Sequence, residues 1–195
     1  MTEASVSGWE LFKFSLSLGV GYYRGGHGRL MHREALRRLL TPINASRCYE
    51  FRRTFELLMP ESGELVFDLS SPKLLSHFLS ERQGCKVVAA DMNKKEVQDW
   101  TSLTKKRAKL PSWVIADGVS LGLKSDTFDK VYSISVLEHI PGDGDTETMR
   151  ELARVLKRGG RLVVTVPYAS RYRTERAGRD VYNLHNGETG VFHWS

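Results

Sequence analysis

ESGELVFDLSSPKLLSHFLSERQGCKVVAAD, residues 61–91, decides how this chain is built. Glu64-Leu65-Val66-Phe67-Asp68 is a short apolar run ending on an acid, and Lys86-Val87-Val88-Ala89-Ala90-Asp91 is a second. Short runs that stay apolar at consecutive positions fit strands covered on both faces. Between them Leu74, Leu75, Phe78 and Leu79 recur at helical spacing. Ser71 stands as candidate N-cap and Pro72 at the first helical position. A strand, a helix and a strand joined this way form a crossover unit, and its two strands lie parallel.

The same texture continues outward from this unit. Toward the C-terminus the pattern predicts a polar surface helix over Glu96 to Lys109 and a third strand over Ser112 to Ala116. A fourth strand covers Lys130 to Ser135, after the turn-like Lys124-Ser125-Asp126-Thr127. An amphipathic helix over Thr146 to Leu156 is closed by Arg158-Gly159-Gly160, and a fifth strand, Arg161 to Val166, ends at Pro167. Toward the N-terminus Leu30, Met31, Ala35, Leu36, Leu39 and Leu40 keep helical spacing, with Arg33, Arg37 and Arg38 at the other positions. Thr41-Pro42 stops that helix. Another runs from about Ser46 to Pro60 with Tyr49, Phe55, Leu57 and Leu58. Strands alternating with helices, joined by right-handed crossovers, predict an α/β fold with a doubly wound, mostly parallel, Rossmann-like sheet. Residues 1–60 are expected as a helical cap, 61–168 as the core and 169–195 as a basic tail.

Size and composition narrow the class. At 195 residues, 41% hydrophobic and 27% charged, the chain suits a single globular domain with a sizeable core. The two cysteines, Cys48 and Cys85, lie far apart in no ligand-like spacing. That argues against a disulfide framework and a zinc site, and no metal is expected. The apolar stretch from Leu11 to Tyr23 is interrupted by Lys13, Ser15, Ser17 and glycines, so it is too short to span a bilayer. It also lacks the basic lead-in of a signal peptide, which makes the cytoplasm the default location. The net charge of +6 divides as +4 over residues 1–60, −2 over 61–150 and +4 over 151–195. Basic ends suit an anionic partner, although a solvated basic surface gives the same pattern. There is no clear nucleic-acid signature.

In doubly wound sheets ligands bind beyond the carboxyl ends of the strands. Those ends here carry Asp68, Asp91, Asp117, the stretch Ser135 to His139, and Pro167-Tyr168. Asp91 follows Asp68 by 23 residues, close to the spacing at which a second-strand acid meets a ribose. A carboxylate can accept from both hydroxyls of a vicinal diol. On spacing alone a helix cap or turn residue is an equal reading of such an acid.

Several blocks occur in a telling order: Val66-Phe67-Asp68-Leu69, Ala89-Ala90-Asp91, Ala116-Asp117-Gly118 and Phe128-Asp129-Lys130-Val131. Ser135-Val136-Leu137-Glu138-His139-Ile140 and Arg154-Val155-Leu156-Lys157-Arg158-Gly159-Gly160-Arg161-Leu162 follow. Together they resemble the successive motifs of the class I S-adenosylmethionine-dependent methyltransferases, specifically the type 11 domain family, over roughly residues 61–168. The resemblance implies S-adenosyl-L-methionine as cofactor. Asp68 would support the loop beneath the methionine moiety and Asp91, followed by Met92, would hold the ribose. Asp117 and Gly118 would lie by the adenine. Ser135 and Val136 would line the site, and Glu138 and His139 would face the donor methyl or the substrate entrance. His139 is the candidate base, because imidazole titrates near neutral pH; a structural histidine at a strand–helix junction is the alternative.

Two departures from the family pattern stand out. Its first loop has the form D-x-G-x-G-x-G, and the three glycine positions here are Ser70, Pro72 and Leu74. Either the Ser70 and Ser71 hydroxyls, the helix N-terminus and Lys73 take over the cofactor carboxylate, or the domain is a catalytically silent scaffold. The family also ends in an antiparallel pair of strands, whereas only five strands are legible before residue 169. The end is therefore expected to be truncated, or the edge covered by the N-terminal helices or a second subunit. The acceptor is expected to be a small molecule, anionic or lipid-like. A dinucleotide-dependent oxidoreductase ranks low for want of its glycine fingerprint.

Overall fold

The computed structural model describes residues 5–25, 29–104, 110–168, 173–177 and 190–194. Helices α1 (Gly8–Gly25), α2 (Arg29–Leu40) and α3 (Ala45–Leu58) come first. The core then runs β1 (Leu65–Leu69), α4 (Leu74–Phe78), β2 (Lys86–Asp91), α5 (Lys94–Thr104), β3 (Ser112–Ile115), β4 (Phe128–Ile134), α6 (Gly144–Val155) and β5 (Leu156–Thr165). The five strands pair in parallel in the order β3-β2-β1-β4-β5. The order reverses between β1 and β4, and that switch point opens a crevice at the carboxyl ends.

Pleating assigns the side chains to two cores. Val66, Ala89, Tyr132 and Ile134 pack with α1, α3, α4 and α5 residues such as Phe14, Phe55, Leu75 and Trp100. Phe67, Leu69, Ala90 and Val131 face the other way, toward Leu152 and Val155 of α6. Successive side chains of a strand point to opposite faces, which explains the division. Asp68 shares the face of Val66, and it pairs in register with Tyr132. It is therefore buried beneath α4.

The apolar stretch near the start is helix α1. Its Ser7 and Glu10 cap each other reciprocally: Glu10 accepts the Ser7 N–H at 2.8 Å, and Ser7 Oγ accepts the Glu10 N–H at 3.2 Å. Leu11, Phe14, Leu18 and Tyr22 form its buried stripe at helical spacing. Among the described residues no helix is long and apolar enough to cross a membrane.

The structure departs from expectation most at three places. Helix α4 starts at Leu74, with Lys73 in the cap position and no side-chain cap. Ser71 is not the cap, because its hydroxyl accepts the N–H of Ile134 on β4 at 2.9 Å instead. The glycine pair after α6 does not close that helix; β5 begins directly at Leu156, and Gly159, at φ 78°, and Gly160 lie inside the strand. A register shift between Phe128 and Lys130 absorbs the irregularity. In the stretch expected from sequence as a basic tail, Arg173–Ala177 and Gly190–Trp194 pair antiparallel as β6 and β7, in a sheet of their own. The glycines Gly26 and Gly28 and His27 lie outside the described residues.

Candidate active site

A crevice of about 1260 Å³ lies over the switch point. Ser70, Ser71, Asp91, Met92, Asp117, Gly118, Ser135 and His139 all line it. They come from four separate strand ends, which is how this fold gathers residues distant in sequence. The far wall belongs to α2, the α2–α3 connection and the start of α3.

Asp68 lies beneath this crevice and does not line it. It is 1% exposed. Its Oδ1 accepts the Ser71 N–H at 3.1 Å, and its Oδ2 accepts from the Ser76 hydroxyl. Ser76 in turn meets Tyr132 Oη at 2.8 Å. Burial raises the Asp68 carboxyl, while Lys73 and the serine hydrogen bonds work in the opposite direction. The effect is to fix the loop that follows β1.

That loop has lost its glycines but keeps part of their geometry. Ser70 adopts φ 53°, the left-handed conformation glycine takes most easily, and its N–H bonds Ala90 O at 2.8 Å. Pro72 and Leu74 show no such conformation. The hydroxyls do not point where the sequence suggested. Ser70 Oγ donates to Ala90 O at 3.3 Å and Ser71 Oγ to Leu69 O at 3.4 Å. Each thus satisfies a neighbouring backbone carbonyl.

Lys73 is the least expected feature. Its Nζ stands 2.8 Å from Asp91 Oδ2 and 3.7 Å from Glu96 Oε1, with only 10% of the side chain exposed. It also lies over the Trp113 ring, 5.6 Å from the centroid. Burial opposes its charge, yet Asp91, Asp68 and Glu96 together raise its pKa above the ordinary lysine value. Asp91 Oδ1 accepts the Asn93 N–H at 2.9 Å. A carboxylate has about four acceptor sites, so Asp91 retains capacity for a diol. Asp117 is exposed and takes the Val119 N–H at 3.1 Å, which likewise leaves it acceptor capacity. Both carboxylates thus keep acceptor sites for a ligand in the crevice.

At the β4 end Ser135 adopts φ 52°. Its hydroxyl donates to Glu50 Oε1 at 2.8 Å and accepts from Arg47 Nη1, also at 2.8 Å. Arg47 closes the ring on Glu50 Oε2 at 2.7 Å. Helix α3 is thereby tied to a strand end 85 residues away. After Ser135 a 3₁₀ turn, Leu137–His139, follows. His139 lines the crevice; burial lowers its pKa and Arg47 lowers it further. Glu138 turns inward, its side chain 4% exposed, with Oε2 lacking a hydrogen-bond partner. Burial raises its carboxyl. Sequence reading missed Lys73's pairing with Asp91, and also Arg47 and Glu50. Nothing in their spacing marks a contact made only when the helices pack on the sheet.

Residues 71–164 match the family model of a methyltransferase domain, type 11. This stretch is similar to the methyltransferase domains of that family. Within it, 53 residues are 43% identical to Methyltransferase GfsG of Streptomyces halstedii, covering 27% of this chain and 18% of that protein. A solved chain from the complex of the Haloferax volcanii Trm112 methyltransferase activator with a methyltransferase superposes with a TM-score of 0.52 at 24% identity. That match covers 60% of this chain and 50% of the other. Phosphoethanolamine N-methyltransferase 2 of Haemonchus contortus, solved with S-adenosyl-L-methionine, gives a TM-score of 0.54 at 16% identity, over 65% of this chain and 30% of its own. The chain thus spans half or less of the length of these relatives.

Proposed function

We propose that this methyltransferase domain binds S-adenosylmethionine across the ends of β1–β4 and transfers its methyl group to a small-molecule acceptor entering beside α2 and α3. One observation carries the reading: Asp91, Asp117, Gly118, Ser135 and His139 converge on one crevice, over a loop whose Ser70 keeps a left-handed backbone. The cofactor supplies a methyl on a sulfonium, so its own leaving group departs as a neutral thioether with the electron pair of the broken S–C bond. The protein's work is to orient the partners and exclude water. In this assignment Asp91 holds the ribose and Asp117 the adenine amine, while Asp68 acts from below by fixing the loop. His139, kept neutral near pH 7 by its lowered pKa, takes the proton of an acceptor that starts protonated.

Calorimetric titration with S-adenosylhomocysteine, with NAD as control, tests the reading. The expected result is a dissociation constant of about 1–100 µM for the first and no binding of the second. Failure of the chain to bind S-adenosylhomocysteine would instead favour a scaffold built on the same fold. His139→Gln is expected to lower the turnover rate roughly 100-fold while leaving cofactor affinity within about twofold. Its rate should also lose the fall that the parent shows as pH drops below the ordinary histidine value of 6.5. Equal activity in the variant demotes His139 to a structural role.

A further inference from the structure

The crevice is electrically two-sided. Asp91, Glu96, Asp117, Asp143 and Glu147 line it from the core, against Lys73 alone. From α2 and α3 it is lined by Arg33, Arg37, Arg38 and Arg47. An acidic wall suits a cofactor bearing a sulfonium and an ammonium. The same cofactor carries one carboxylate, which offsets at most one of the four positive charges on the arginine wall.

Nor is that wall neutralised from within. Glu34 receives Arg37 at 2.8 Å, and Glu50 receives Arg47 at 2.7 Å. Two carboxylates against four guanidiniums leave an excess of two positive charges. Arg38 makes the excess costly, because its side chain is only 3% exposed and burial lowers its pKa. Its Nε has no hydrogen-bond partner, and Glu34 Oε2 stands 4.0 Å away. A buried guanidinium with an unmet donor is unfavourable unless a further anion shares the site. Arg33 and Arg37 are exposed and sit one helical turn apart, so both can reach a ligand on the same side. Guanidinium forks match the planar faces of carboxylate and phosphate and bind them bidentately.

We propose that the arginine wall is an oxyanion subsite: the acceptor carries a carboxylate or phosphate that seats on Arg33, Arg37 and Arg47, presenting its reacting atom toward His139. The role of acceptor rests on the methyltransferase reading above; the anion site itself does not. Field and chemistry agree, since an acceptor anchored at the arginine wall faces the cationic donor held at the acidic wall across one crevice.

Benzoate, phenyl phosphate and the uncharged benzamide, titrated into the full chain with and without S-adenosylhomocysteine, provide the test. The two anions are expected to bind at least about tenfold tighter than benzamide. In the Arg33→Gln/Arg37→Gln variant that preference is expected to fall below about threefold, with S-adenosylhomocysteine affinity unchanged. Glu34→Gln removes a competing carboxylate and is expected to tighten anion binding, so the proposal stays testable if the double variant folds poorly. The tighter of the two anions names the oxyanion. Absence of a preference in the parent chain, or its persistence in the double variant, overturns the proposal. Loss of S-adenosylhomocysteine binding alone overturns the methyltransferase reading and leaves the anion comparison standing.

Discussion

Asp68→Ala is expected to cost about 3–5 kcal/mol of stability, the largest single effect in the core. The carboxylate is 1% exposed and accepts from the Ser71 N–H and the Ser76 hydroxyl. Alanine offers no acceptor, so the buried Ser71 N–H loses its partner at about 1–3 kcal/mol and Ser76 keeps only Tyr132, while the deleted carboxyl leaves a cavity. Lys73 also loses one of the negative charges that raise its pKa. For a domain of this size each kcal/mol moves the melting temperature by roughly 2–4 °C, so circular dichroism should show a drop of roughly 10 °C. Asp68→Asn keeps the shape and one acceptor and should lose less than half as much. The sign of the pH effect follows from the direction of the shift. Burial raises the carboxyl above its ordinary 3.8, so the stability it contributes is full below that pH and is lost as pH rises through the folded value. The parent's advantage over Asp68→Asn should therefore narrow as pH rises out of the acid range. A loss under about 1 kcal/mol for the alanine variant would mean that the loop is held by other contacts.

The second large effect is on binding. Asp91→Ala is expected to weaken S-adenosylhomocysteine binding by at least about tenfold, or about 1.4 kcal/mol. The variant also strands Lys73, whose Nζ loses Asp91 at 2.8 Å and keeps Glu96 at 3.7 Å. Breaking a fully buried pair costs about 3–5 kcal/mol. With Glu96 still present the stability loss should be about 2 kcal/mol. Lys73→Met separates the two effects, because it removes the lysine and leaves Asp91 free to accept. Its affinity for S-adenosylhomocysteine should stay within about threefold of the parent. Calorimetry on both variants, with melting curves to confirm folding, gives the answer. Unchanged affinity in Asp91→Ala would remove Asp91 from the site.

Much of the fold was legible in residues 61–91. The second strand, expected over Lys86 to Asp91, has those bounds in the structure, because its apolar run is short, continuous and ended by an acid. The N-terminal helices were readable from their periodicity and from Thr41-Pro42 and Pro60. The start of α4 was misplaced because Ser71 and Pro72 carry a strong local signal that a longer-range bond overrides. The Ser71 hydroxyl is taken by Ile134, 63 residues away. Strand β6 escaped notice because Arg171, Arg173, Arg176 and Arg179 mask any alternation.

The sequence alone determined the parallel sheet, its strand ends and the acids placed on them, since burial and chain direction leave a local period in the residues. Only the tertiary structure decided what those ends face. Lys73 reaches Asp91 across the first loop, Arg47 and Glu50 reach Ser135 from another layer, and Arg33 and Arg37 line the crevice. The arginines of α2 read equally well as a solvated helix face. A charge's partner is set by which helix packs over which strand end, and no local period records that choice.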